Sequence, residues 1–221
     1  MQKVVNKNFK TSSKKWMLRH INDPYVHKAK LMHYRSRAAF KLIQIDDKFK
    51  IFSKKNMVIV DLGCSPGGWT QVVRQNSESH KIVGVDLIDM KPIHNVTFIN
   101  GDFCTQETQE RIKSVLNLKA NLVLSDIAPP LSGNKQCDVF KIEDIACQVL
   151  EFCIKNLKIG GIAIVKQFQF GNNRVVMQYR KYFRSVKLFK PDASRPESSE
   201  VYIVADGFFD NDIIGMIDKP H

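Results

Sequence analysis

From residue 57 onward, short runs rich in β-branched residues alternate with stretches of helical periodicity, and that alternation leaves few folds open. The runs are Met57 to Asp61, Lys81 to Asp86, Val96 to Ile99, Asn121 to Asp126, Ile162 to Lys166, Val186 to Phe189 and Val201 to Val204. Helical spacing fills Trp69 to Gln75, Gln106 to Leu116, Ile142 to Leu157 and Arg174 to Phe183. Strands that are apolar throughout and separated by helices read as βαβ units, hence a mostly parallel sheet covered on both faces. The last two runs are joined by Lys190 to Ser198, which holds two prolines and has no room for a crossover helix, so they are expected to pair antiparallel.

Charge divides the chain differently. Residues 1–55 carry 15 Lys/Arg against Asp23, Asp46 and Asp47, while the remainder carries 19 basic and 19 acidic residues, so the whole excess of +12 lies in the N-terminal region. A basic extension on a neutral domain is what a phosphate-rich partner selects for. We read residues 1–55 as a helical RNA-binding extension of the same domain and 56–221 as its catalytic part. The expected footprint runs from Lys3, Lys7, Lys10, Lys14, Lys15 and Arg19 to Lys28, Lys30, Arg35 and Arg37. A second basic stretch, Arg174 to Arg195, either extends it or is a solvated helix face. Ser12 and Ser13 can cap a short helix bearing Trp16, Met17, His20 and Ile21, and Asp23-Pro24 ends it. Ser36 precedes a second helix with Ala39, Phe40 and Ile43 on its apolar side and Lys41 off it.

Five cysteines without a C-x-x-C pair point to a reducing compartment and to no structural zinc or other metal. No apolar run approaches the roughly 18 residues of a membrane span, so no membrane partner is expected. The first 22 residues, basic and without Asp or Glu, have the composition of a mitochondrial transit peptide but serve equally as an RNA-facing segment. A cytoplasmic monomer is the expectation, with a mitochondrial location as the alternative.

Three charged residues stand where an α/β sheet places ligands. Asp126 and Lys166 close apolar runs and Glu200 opens one, which puts all three at strand ends. Unpaired charge is costly to bury, so such residues are either solvated strand ends or a paired site.

Asp61-Leu62-Gly63-Cys64-Ser65-Pro66-Gly67-Gly68-Trp69 follows the first strand and opens a helix. Glycines there admit close approach of the backbone to a ligand, and a helix N-terminus favours a carboxylate. The spacing matches neither the dinucleotide fingerprint nor a P-loop. Asp86 ends the second strand, where a carboxylate can accept from two ribose hydroxyls, and Asp102 follows the third, where it can accept from an adenine amino group. Either aspartate alone could simply cap the next helix. Together with the loop they suit a nucleoside carrying an amino-acid tail, such as S-adenosylmethionine.

On these residues the chain resembles the FtsJ/RrmJ family of ribose 2′-O-methyltransferases. The similarity takes in Asp23-Pro24-Tyr25-Val26, Ser36 to Leu42, Asp61-Leu62-Gly63 with Pro66 to Trp69, Ser125 to Pro129, Val165-Lys166, and Lys190-Pro191-Asp192 through Glu200 to Val204. It implies a Rossmann-like methyltransferase fold, a seven-stranded mostly parallel sheet with a late antiparallel hairpin. It also implies S-adenosylmethionine as cofactor, held by Gly67, Gly68, Trp69, Asp86, Asp102 and Asp126, and a catalytic tetrad of Lys41, Asp126, Lys166 and Glu200. The acceptor it implies is a uridine of ribosomal RNA in the large subunit. Pro130 stands where the family commonly has Asn.

Methyl transfer from a sulfonium is an in-line displacement by an activated donor, so the protein has mainly to place and deprotonate the acceptor. A lysine titrating near ~10.4 is no base at neutral pH, and burial, Lys41 and the sulfonium are expected to lower Lys166 into that role. Lys41 then orients the ribose, Asp126 bridges cofactor and acceptor, and Glu200 orients one of the lysines. The other route lets the proton leave to water with Lys166 as an electrostatic guide. An amino-group methyltransferase fits poorly, because Leu131 stands where an aromatic residue should stack on the base. A cytosine C5 enzyme fits poorly too, since no cysteine follows a proline. A transfer-RNA or cap ribose methyltransferase would share the chemistry, and a non-catalytic assembly factor would share the fold.

Overall fold

The structure is a computed structural model and describes residues 17–130, 132–169 and 174–209. Ser12, Ser13 and Trp16 lie outside the described residues. Residues 17–21 are helical. Asp23 then caps α1 (Pro24–Leu31) by accepting the Tyr25 N–H at 3.0 Å, with Pro24 in the first turn where its missing N–H is no loss. After α2 (Ala39–Phe49) the chain alternates as β1 (Val58–Leu62), α3 (Gly68–Asn76), β2 (Lys81–Asp86), β3 (Val96–Asn100), α4 (Gln106–Leu116), β4 (Ala120–Ser125), α5 (Lys135–Asn156) and β5 (Leu157–Phe168). It closes with α6 (Arg174–Arg180), β6 (Phe183–Phe189) and β7 (Glu200–Phe208).

The seven strands form one sheet in the order β3-β2-β1-β4-β5-β7-β6. The first five are mutually parallel, and β7 runs antiparallel to both β5 and β6. The expected late hairpin is therefore present, with β7 inserted beside β5. Every residue of β1 is buried, as a central strand covered on both faces requires.

One face packs Ile112 and Leu116 of α4, Ala146, Val149 and Phe152 of α5 and Val175 and Tyr179 of α6 against the sheet. The other packs Leu42 and Ile45 of α2 and Trp69, Val72 and Val73 of α3. Helix α2 thus shares the core with β1. The last helix ends earlier than its periodicity suggests. Phe183 sits opposite Phe208 in the sheet and stacks on Tyr179, so pairing in β6 outweighs another helical turn.

This topology sets where chemistry can occur. Parallel β1, β4 and β5 end at one edge of the sheet, and antiparallel β7 begins there, which is why a residue opening β7 meets residues closing the others. Lys166 pairs with Tyr202, and Phe168 with Glu200.

Candidate active site

Lys41 from α2, Asp126 just past β4, Lys166 near the end of β5 and Glu200 at the start of β7 converge. Lys166 Nζ lies 2.8 Å from Asp126 Oδ1 and 3.5 Å from Glu200 Oε2, and donates to the Asp126 carbonyl at 2.8 Å. Lys41 Nζ lies 2.8 Å from both Glu200 oxygens and 3.6 Å from Asp126 Oδ1. Both lysines are about 6–7 % exposed, so these are buried pairs rather than solvated strand ends. Alternation of cation and anion around one small cluster offsets the cost of desolvating four charges.

In the protein alone the two carboxylates set the direction of the Lys166 shift. Burial alone pushes the Lys166 ammonium toward losing its proton, but the Asp126 and Glu200 carboxylates together outweigh burial, and its pKa is raised rather than lowered. For Asp126 burial favours the neutral acid, and Lys166 and Lys41 overcome it to hold the carboxyl below its ordinary range. Glu200 is lowered in the same way, with Lys41 the nearer partner. The expected depression of Lys166 counted burial, the second lysine and the cofactor's sulfonium; in the protein alone the two carboxylates within 3.5 Å decide the direction.

Beside this cluster lies a narrow cleft lined by Ser36, Asp61, Gly63, Gly68, Trp69 and Asp126. Gly63 has φ +73°, and a Cβ there would run into Ile127. Gly67 has φ +102° and caps α3, where a side chain would be strained and would press on Met90 and Arg35. The Asp61 carboxylate is fully buried, and Oδ2 accepts from Thr70 Oγ1 at 2.6 Å while Oδ1 has no partner. Burial, reinforced by the charges of Asp126 and Asp86 and opposed by Thr70, raises its pKa to about 7. An orphaned carboxylate oxygen beside a cleft calls for a donor. A ligand ammonium would satisfy it, so the residues present fit a group with an amino-acid tail.

The FtsJ-like methyltransferase family model matches residues 34–208. This chain belongs to that family. It is 44% identical over 201 residues to the ribosomal RNA large subunit methyltransferase E of Rickettsia canadensis, covering 88% of each chain. It is 44% identical over 208 residues to the protein of that name from Rickettsia felis, covering 91% of each. Among solved structures it resembles a ribosomal RNA methyltransferase, putative, from Plasmodium falciparum, with a TM-score of 0.71 at 34% identity over 79% of this chain and 98% of that one.

In this FtsJ-like protein the other sequence-marked residues are placed unevenly. Trp69 is buried, donates from Nε1 to the Ala38 carbonyl at 2.8 Å and packs on Tyr202. Asp86 accepts the Ser65 N–H and the Ile88 N–H, each at 2.8 Å, so it holds the glycine loop as well as facing outward. Its oxygens retain lone pairs for further donors. Asp102 is exposed and accepts the Cys104 N–H at 2.9 Å. Tyr202 stands out in the sequence only as part of a strand motif, yet its hydroxyl donates to Asp126 Oδ1 at 2.5 Å and its ring centre lies 5.7 Å from Lys41 Nζ.

Parts of the basic surface also tie the fold together. Arg35 donates to the carbonyls of Pro66, Lys91 and Pro92, and Arg37 pairs with Asp23 at 2.9 Å, so both are ties within the fold. Along the second basic stretch, Lys190 donates to the Pro196 and Ser198 carbonyls and Arg195 lies 3.4 Å from Asp23, while Arg174 lines a groove with Glu143 and Asp144.

Proposed function

We propose that this protein transfers a methyl group from S-adenosylmethionine to a ribose 2′-hydroxyl, that of a uridine in large-subunit ribosomal RNA. The observation that carries the reading is the closed Lys41–Asp126–Lys166–Glu200 cluster beside the glycine loop. Gly67, Gly68 and Trp69 would border the cofactor and Asp86 its ribose, with Asp102 toward the adenine and Asp126 at the boundary with the acceptor. Asp61 adds a seat for the amino group. When bound, the cofactor supplies an activated methyl on a sulfonium.

The protein's own residues then have to hold a hydroxyl in line and favour the oxygen as its proton departs. Two ammonium groups seated on carboxylates do this electrostatically, because oriented cations in a desolvated site favour developing negative charge. With its pKa raised, Lys166 enters as ammonium, so we assign it orientation and charge stabilisation, and the proton goes to water. Lys41 shares that role, and Glu200 fixes both lysines.

Residues 1–55 are proposed as the RNA-facing part, in a cytoplasmic monomer that takes ribosomal RNA as its macromolecular partner. No helix among the described residues is long and apolar enough to cross a membrane. Transfer to a base carbon is disfavoured because burial pushes up the thiol of Cys64, the cysteine that lines the cleft, and a purely binding role leaves the two buried lysines and their carboxylates without use.

The test is to incubate the protein with methyl-labelled S-adenosylmethionine and either naked large-subunit RNA or assembled subunits, then hydrolyse the RNA in alkali. A 2′-O-methyl group blocks attack on the adjacent phosphodiester, so ribose label is expected in alkali-stable dinucleotides. Label recovered in mononucleotides would place the methyl on a base and sink the reading.

A further inference from the structure

Lys41 and Glu200 lie 159 residues apart in sequence, so their pairing is set by whatever holds α2 against the start of β7. The loop of residues 190–199 that leads into Glu200 is held by the N-terminal helices at Ala193. Gln44, one turn beyond Lys41 on α2, accepts the Ala193 N–H at 2.8 Å. Arg37 donates to the Ala193 carbonyl at 2.5 Å, and its pairing with Asp23 anchors it in turn. Ala193 is itself fully buried against Ala29 and Phe40. The next residue, Ser194, is buried, and its hydroxyl donates to Glu200 Oε1 at 2.7 Å. Glu200 presents both oxygens to Lys41 at 2.8 Å, which closes a ring from Lys41 through Gln44, Ala193, Ser194 and Glu200 back to Lys41.

We propose that Ser194 is a positioning residue for the tetrad, fixing the Glu200 carboxylate against Lys41 within a ring that Gln44 closes. A glutamate has three side-chain torsions, and the last is soft. Lys41 can follow a carboxylate as it swings, because an ammonium on four methylenes has no directional fork. A donor from a buried, doubly bonded loop removes that freedom. It therefore fixes where the Lys41 ammonium stands relative to Lys166. The inference rests on the proposed role of the tetrad in methyl transfer.

Ser194→Ala removes the hydroxyl without adding volume. Single-turnover methyl transfer should slow about tenfold, the scale of one hydrogen bond to a charged group. Affinity for S-adenosylmethionine and the KM for RNA should stay at wild type. Gln44→Met, which takes the acceptor from the Ala193 N–H, should slow turnover in the same way. In a Glu200→Ala background Ser194→Ala should add nothing, since its acceptor is gone. A wild-type rate for Ser194→Ala, or losses that multiply in the double variant, would overturn the proposal. Crystal structures of wild type and Ser194→Ala test it without activity: the Glu200 carboxylate should rotate and the Lys41 ammonium move relative to Lys166, and an unchanged carboxylate and Lys41 position would overturn it. A wild-type protein that methylates no ribose would sink the proposed function and leave the crystallographic comparison to decide Ser194.

Discussion

Replacing Lys166 by methionine removes one charge from a buried cluster, and the structure sets the size of the effect. Asp126 loses an ion pair at 2.8 Å, and its carbonyl loses a donor at 2.8 Å. It keeps the Tyr202 hydroxyl and the more distant Lys41 ammonium at 3.6 Å. Breaking one side of a buried pair costs about 3–5 kcal/mol, and the surviving partners place Lys166→Met near the lower end, about 3 kcal/mol. In a chain of this size that lowers the melting temperature by roughly 6–12 °C. Asp126→Asn, which leaves Lys166 on Glu200 alone, should cost a comparable amount. The double variant carries neither charge and should be more stable than the sum of the single losses by about 2 kcal/mol.

Urea denaturation of all four proteins at pH 7, extrapolated linearly, measures the cycle. The pH dependence has a definite sign. Asp126 titrates below its ordinary 3.8 in the folded protein, so its stabilisation is present above that value and is lost as pH falls through the lowered one. Lys166 titrates above its ordinary 10.5, so its share is present below that value and is lost as pH rises through the raised one. The gap between wild type and Lys166→Met should therefore be widest from about pH 4 to pH 10 and close outside it. Additive single losses, or a gap that does not change from pH 7 to pH 3, would refute the pairing.

The state of Lys166 also predicts kinetics: the single-turnover rate should be nearly flat from pH 7 to pH 9, whereas a tenfold rise per pH unit would show that Lys166 must lose its proton and acts as a base. Deleting residues 1–22 removes Lys3, Lys7, Lys10, Lys14, Lys15 and Arg19; for every phosphate left without its cation, the slope of log K for RNA against log salt should flatten by about 0.7–0.9, with cofactor affinity unchanged. An unaltered slope in the truncated protein would make those charges solvated decoration. His80 is buried with Nδ1 accepting the Met57 N–H at 3.1 Å, and burial and the Arg74 charge lower its pKa, so its contribution is present above pH 6.5 and fades as pH falls through the lowered value. Stability of wild type relative to His80→Gln should decline from pH 7.5 to pH 5, and parallel curves would count against this.

How much of the fold and site is legible in the sequence follows from range. Apolar runs such as those of β1 and β4 and the periodicity of Gln106 to Leu116 are local, so the sheet and most helices are legible, whereas α1 (Pro24–Leu31) goes unmarked and α5 begins at Lys135, well before Ile142. Asp126, Lys166 and Glu200 are legible for a related reason, since a charge at the end of a core strand violates a local rule. Lys41 violates none. On a helix that carries two lysines and two aspartates it reads as one more charge of a solvated face, and only the family resemblance singles it out. Arg35 and Arg37 show the opposite limit, because a charge count does not reveal that a guanidinium is also bonded to the carbonyl of a residue 156 positions away.

The sign of the Lys166 shift is out of reach of sequence for the same geometric cause. Burial and a like charge lower a lysine, carboxylates raise it, and the outcome turns on whether those carboxylates stand at 2.8 and 3.5 Å or a few ångströms further off. The 3.5 Å separation depends on how the Glu200 side chain is turned, and in the proposed ring that turn is set by Ser194 and by Gln44 meeting Ala193 across 149 residues. The charge state of Lys166 thus turns on Asp126 directly and on the ring only through Glu200.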